Sequence, residues 1–127
     1  MIDHIGLTVS DYAAAKAFYT AALAPINFTL LQEVPAAVTG TVDVAGFGED
    51  RAEFWINGSQ QTAPHLHIAF RVATREMVDG FYQAALEAGG RDNGAPGLRD
   101  IYGPGYYAAF VRDLDGHNIE AVCFLKE

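Results

Sequence analysis

The chain has 127 residues, 50% of them hydrophobic, and carries a formal net charge of −8 with only eight lysines and arginines. That length supports one compact domain with a real core and is short for two independent ones. The acidic balance argues against nucleic acid and anionic membranes, which both call for a basic face, and favours a small molecule as partner. A single cysteine, Cys123, excludes an intrachain disulfide, and no apolar run approaches the roughly 20 residues of a membrane-spanning helix. With no leader pattern at the amino terminus, the expected compartment is the cytoplasm.

From Ile2 to Val9, the residues Ile5, Leu7 and Val9 alternate with His4, Gly6 and Thr8, the period of a half-buried strand, so His4 points away from the aliphatic row. Ser10 and Asp11 supply the oxygen and the negative charge that open a helix. Ala13 to Leu23 follow, with Ala15, Phe18, Tyr19, Ala22 and Leu23 on one face, and Pro25 ends the run. Three short strands are expected at Phe28 to Leu31, Ala37 to Ala45 and Glu53 to Ile56, with Gly40, Gly46 and Gly48 interrupting them as turn or bulge positions. The polar stretch Asn57 to Pro64 reads as a connector.

At His67 the opening pattern returns. HIGLTVSDYAAAKAFYTAAL, from His4, aligns without a gap on HIAFRVATREMVDGFYQAAL, from His67. His4 matches His67, Ile5 matches Ile68, Val9 matches Val72, Phe18-Tyr19 match Phe81-Tyr82, and both copies close on Ala-Ala-Leu. A repeat of about half the chain means two copies of one module, about 1–60 and about 64–127. In the second copy Thr74 caps a helix with the stripe Met77, Val78, Phe81, Tyr82, Ala85 and Leu86, closed by Gly89-Gly90. Arg91 to Gly105 is rich in glycine and lacks periodicity, which reads as a functional loop. Tyr106 to Arg112 and Asn118 to Phe124 form a hairpin around Asp113-Leu114-Asp115-Gly116. Each half is therefore βαβββ, and the fold class is α+β, two paired modules forming a curved, cup-like mixed sheet.

Three residues carry the chemistry. His4 and His67 hold equivalent places on symmetry-related strands, and Glu120, between apolar Ile119 and Ala121, faces the other way from them. Two imidazoles and a carboxylate on rigid strands suit a divalent ion such as iron, manganese, zinc or nickel, with positions left for substrate or water. Histidines on strands are also ordinary polar residues, and His65 and His117 are read that way. Cys123 shares the parity of Ile119 and Ala121 and reads as a buried thiol.

The segments DHIGLTVSD, HIAF and FVRDLDGHNIEAV resemble the vicinal oxygen chelate superfamily of glyoxalases, extradiol dioxygenases, thiol transferases and bleomycin-resistance proteins. The resemblance implies a metal at the bottom of the cup, held by residues of the first, fourth, fifth and eighth strands, and His4, His67 and Glu120 match three of these positions. For the fourth, the repeat spacing falls on Asn57, while Glu53 and Trp55 share a face of the strand and either one reaches the corner. A glutamate there would suit a glyoxalase-type isomerisation, and a tryptophan would wall the cup; Trp55 is preferred for this place. Arg71, Arg99, Tyr102, Tyr106 and Tyr107 are the other pocket candidates, as anion handles and phenolic donors. The catalytic residue itself is not assigned. The resemblance implies a lyase or isomerase, then a dioxygenase or thiol transferase, with a metal-free binding protein as the alternative, and a homodimer in which His4 of one subunit completes a site with His67 and Glu120 of the other.

Overall fold

A computed structural model describes residues 1–59 and 64–124. The first half runs β1 (Ile5–Thr8), α1 (Tyr12–Leu23), β2 (Thr29–Val34), α2 (Ala36–Thr39), β3 (Val44–Gly48) and β4 (Ala52–Asn57). The second runs β5 (His67–Arg71), α3 (Arg75–Glu87), β6 (Arg91–Leu98), β7 (Tyr106–Arg112) and β8 (Asn118–Phe124). Each half makes a four-stranded mixed sheet, in the orders β1-β4-β3-β2 and β5-β8-β7-β6. In both, the first strand pairs parallel with the last and the other pairs are antiparallel. Residues 60–63 of the connector read at Asn57 to Pro64 lie outside the described residues.

Local chemistry starts both long helices where the sequence places them. The Asp11 carboxylate accepts the Ala14 N–H at 3.1 Å, and the Thr74 hydroxyl accepts the Met77 N–H at 3.2 Å, each satisfying an amide that the first helical turn leaves open. Ala15, Phe18, Tyr19, Ala22 and Leu23 of α1 are buried, as are Val78, Phe81 and Ala85 of α3, while Met77, Tyr82 and Leu86 pack at the margin. The two helices pack on each other, and the helix-facing rows of both sheets join them in one apolar cluster. Phe70 of β5 ties the halves together, with its ring centroid 5.3 Å from that of Phe54 and 5.5 Å from that of Phe28. Cys123 is buried in the same cluster.

A buried polar clamp also joins the halves. Tyr19 donates to Asp113 Oδ2 at 2.5 Å, and Ser10 donates its hydroxyl to Asp115 Oδ1 at 2.6 Å. Asp113 Oδ1 in turn accepts the amides of Asp115 and His117, which fixes the turn between β7 and β8. Burial, reinforced by the Asp113 charge, pushes the Tyr19 phenol well above its ordinary pKa, so it remains a donor.

Four expectations are corrected. The first strand begins at Ile5, later than Ile2. Ala37 to Ala45 is no single strand: Thr39 Oγ1 accepts the amides of Thr41 and Val42, Asp43 accepts that of Ala36, and Gly40 closes α2 at φ 82°, so local bonds override the alternation. Gly46 lies inside β3 where no turn occurs, because the Trp55 ring crosses it so closely that a Cβ there would sit 2.8 Å from the ring. Arg91 to Gly105 is largely the strand β6 and a 3-10 turn at Asp100–Tyr102, since its backbone pairs with β7 although its side chains show no period.

Candidate functional site

Strand alternation builds the site on the face of the second sheet that looks away from the helices. Ile68 and Phe70 turn inward, leaving His67, Ala69 and Arg71 on the outer face. The parallel register sets Ala69 beside Glu120 and His67 beside Asn118, and the small Ala69 leaves room over the carboxylate. The His67 imidazole fills it: Nε2 lies 3.1 Å from Glu120 Oε1, and the ring stacks on Phe110 of β7 at 6.3 Å between centroids. Glu120 is only 1% exposed, while half of the His67 side chain, 51%, meets solvent.

The outer contacts fix the donor atoms. His67 Nδ1 lies 3.1 Å from the Asn118 carbonyl, and a carbonyl only accepts, so Nδ1 carries a proton and Nε2 is the ring atom turned to Glu120. Glu120 Oε2 accepts the Tyr106 hydroxyl at 2.5 Å, leaving Oε1 toward the imidazole. Burial, then the bond to Glu120 and its charge, pushes the Tyr106 phenol up to about 12, so it keeps its proton at neutral pH. Nε2 and Oε1 thus face each other across 3.1 Å, a separation that a shared proton satisfies. It also fits a metal ion, since adjacent ligands about 2.1 Å from one ion lie about 3 Å apart.

His4 stands elsewhere. It precedes β1, is exposed, and bonds through Nδ1 to Asp3 Oδ1 at 2.8 Å. Arg51 pairs with the same carboxylate at 2.8 Å, and these two contacts, Arg51 first, hold Asp3 down to about 2. His4 and Glu53 line one cleft of about 180 Å³, together with Ala69 and Phe70 at the seam between the sheets. No group of three or more His, Cys, Asp or Glu side chains arranged to hold a metal exists among the described residues.

The register relates the last strands of the two halves residue by residue. Gly6 pairs with Trp55 as Ala69 pairs with Glu120, and Gly6 and Ala69 are themselves equivalent in the repeat, so Trp55 is the counterpart of Glu120. Glu53 is the counterpart of Asn118, and Asn57, reached by counting, lies one pleat too far along β4.

The remaining candidates divide. Tyr106 reaches Glu120, whereas Tyr107 points to the helix side, where its hydroxyl donates to Asp79 at 2.7 Å and Arg75 covers its ring. Arg71 shares the outer face but stacks on Phe124 and borders a separate cleft of about 470 Å³ with Glu49 and Met77. Arg99 and Tyr102 line a cavity beside Phe110. His117, read as an ordinary polar residue, is fully buried: its Nδ1 accepts the Leu66 N–H at 3.0 Å, and its Nε2 has no hydrogen-bond partner among the described residues. His65 packs edge-on against it. Sequence reasoning missed Phe110, the platform of His67, and Asp3, the orienting group of His4. Phe110 was signalled by sharing the parity of Tyr106, and Asp3 by its adjacency to His4.

A model of the Glyoxalase/Bleomycin resistance protein/Dioxygenase superfamily matches residues 1–121. Among solved structures, a glyoxalase/bleomycin resistance protein from Albidiferax ferrireducens is 25% identical, with 95% of this chain and 96% of that chain covered and a TM-score of 0.76. A mutant of the fosfomycin resistance protein FosX from Listeria monocytogenes, complexed with Mn(II) and a dihydroxypropylphosphonic acid, is 18% identical over 98% of this chain and 93% of that one, at a TM-score of 0.68. A glyoxalase I mutant from Zea mays is 20% identical over 94% of this chain and 45% of that one, at 0.70. A search of curated proteins finds no match.

Proposed function

This chain belongs to the Glyoxalase/Bleomycin resistance protein/Dioxygenase superfamily, and from that premise we propose that it is a metal-dependent enzyme acting on a small oxygen-bearing substrate in the cytoplasm. The observation that carries the reading is the pairing of His67 Nε2 with Glu120 Oε1, each group tied on its far side so that these two atoms face one another. His67 and Glu120 would hold a divalent ion, iron, manganese, zinc or nickel, and Tyr106 fixes the carboxylate that does so. The ion, when bound, supplies Lewis-acid polarisation of vicinal substrate oxygens. With Trp55 as the counterpart of Glu120, the ligand set is His4, His67 and Glu120, and Trp55 walls the cup; Glu53, in the cleft with His4, is the other candidate for the fourth place. A lyase or isomerase is preferred over a dioxygenase or thiol transferase.

In one chain His4 is not gathered with His67 and Glu120, which favours a homodimer whose sites each take His4 from one subunit and His67 with Glu120 from the other. The anchoring of His4 Nδ1 on Asp3 supports this, because it leaves Nε2 as the free ligand atom, the same tautomer as at His67. The second reading is a metal-free binding cup. It is favoured by the fact that a proton on His67 Nε2 satisfies the same 3.1 Å contact as a metal.

Elemental analysis of protein purified without added metal, beside His67→Ala, separates the two. Near-stoichiometric metal that is lost in the variant is expected, and absence of metal in both proteins after reconstitution sinks the enzyme reading. Co-expressing tagged His4→Ala with His67→Ala tests the sharing: mixed dimers regain one intact site in two, and a failure to regain metal means each site is built within one chain.

A further inference from the structure

Beside His67 the outer face continues into a cavity of about 310 Å³ lined by Asn93, Gly94, Arg99, Tyr102, Phe110 and Asn118. It adjoins the candidate metal site through Phe110, the platform of His67, and through Asn118, whose carbonyl fixes the imidazole. β6 is irregular here: its register against β7 slips between Asp92 and Gly94 and again between Gly94 and Gly97. Arg99 occupies the resulting hollow. Its Nη1 donates to the Gly97 carbonyl at 2.8 Å, its Nη2 to the Ala95 carbonyl at 2.7 Å, and its guanidinium lies over the Phe110 ring at 5.5 Å.

Two glycines leave room for the guanidinium. A Cβ at Gly97 would stand 3.1 Å from Nη1 and one at Gly94 3.2 Å from Nη2, and Gly94 has φ of 147°, which side chains rarely adopt. Arg99 is therefore held in place with its charge intact, and it forms no ion pair with a carboxylate among the described residues. A guanidinium has five N–H donors, so two carbonyl bonds leave others to offer. Tyr102 and the amides of Asn93 and Asn118 add polar groups, and no carboxylate lines the cavity among the described residues.

We infer that this cavity seats an oxyanionic group of the substrate, a carboxylate or a phosphate-type group, with Arg99 as its charge partner. The word substrate rests on the enzyme reading above; the anion contact itself needs no metal. A fixed guanidinium loses little freedom on binding, and its planar fork matches such oxygens. Arg99, with no carboxylate partner among the described residues, thus offers its donors beside the candidate metal ligands.

The test is an NMR titration of the metal-free, ¹⁵N-labelled protein with inorganic phosphate and, separately, acetate, with sodium chloride at matched ionic strength as the blank. Saturable shifts are expected at Arg99 Nε–H and at the side-chain amides of Asn93 and Asn118, with one or both anions and not with chloride. Phosphate alone points to a tetrahedral group, and acetate alone to a carboxylate. Arg99→Gln is expected to weaken the binding at least tenfold while the β7 amide signals stay in place. If neither anion moves Arg99 Nε–H in the native protein, or if Arg99→Gln binds equally well, the inference is overturned and Arg99 only staples the irregular strand. Should that variant unfold, the native titration decides. Anion binding by a protein that never takes up metal would overturn the enzyme reading and leave the cavity standing; metal uptake with no anion response would do the reverse.

Discussion

His4 and His67 begin the same module, are each followed by isoleucine, and each use Nδ1 to bind an oxygen, yet one ring is exposed beside Asp3 while the other is stacked and faces a buried carboxylate. The difference lies in the neighbouring strands. In the second sheet Phe110 of β7 pairs with Glu120 of β8; at the equivalent place in the first, Gly46 of β3 pairs with Trp55 of β4. The aromatic ring has moved by one strand, from beside the carboxylate into its place, and glycine makes the space for it. Equivalent backbones thus carry a buried carboxylate in one half and an indole in the other.

Exchanging those roles tests the comparison most severely. Glu120→Gln is expected to lower metal affinity by more than the 10- to 100-fold typical of a lost supporting hydrogen bond, while Glu53→Gln leaves it nearly unchanged; competition against a chromophoric chelator measures both. Equal losses would restore Glu53 as a ligand and remove the asymmetry. Tyr106→Phe frees Glu120 Oε2 without touching the donor atoms, and on the same assay it should cost about 10- to 100-fold. An unchanged affinity there would mean that the carboxylate is positioned by β8 alone.

Gly46→Ala acts on the other half. The added methyl would meet the Trp55 ring and Ala52 at 2.8 Å, and overpacking of this kind costs about 1–3 kcal/mol, readable in urea unfolding. A smaller loss would show that Trp55 is free to swing away and is a poor wall. The mildest change is Asp3→Asn. Because the folded Asp3 is depressed to about 2 from 3.8, its tie favours the folded state above about pH 4 and is lost as pH falls toward 2. Its exposure to solvent keeps the effect slight, so the variant should lose only a small part of the native protein's change in stability between about pH 4 and pH 2, with little change in melting temperature at neutral pH.

The repeat, the capping residues Asp11 and Thr74, and the buried stripe of α1 were legible because they depend on neighbours in sequence. Phe81 and Val78 were read correctly for the same reason. What escaped depends on partners across strands or on backbone pairing that side chains do not advertise. β6 hides its ladder behind glycines, and α2 hides behind an accidental alternation broken by Thr39 and Gly40. Counting from Glu120 gave Asn57 instead of Trp55 because the strands and turns before β8 and β4 are not equally long. His4, His67 and Glu120 stood out in the sequence as candidates, but nothing there told the histidine that faces the buried Glu120 from the one that faces the exposed Asp3. That distinction needs Phe110 and Trp55 placed in space.

The clamp between Tyr19 and Asp113, with Ser10 on Asp115, makes the two halves interdependent in unfolding. Separating them would break both hydroxyl–carboxylate bonds and expose the aromatic seam around Phe70, so the halves are expected to open together. The amides of Asp115 and His117, held by the same Asp113, should therefore exchange with deuterium only through opening of the whole chain. The two modules are therefore expected to unfold as one cooperative unit, with neither half persisting as a stable fragment.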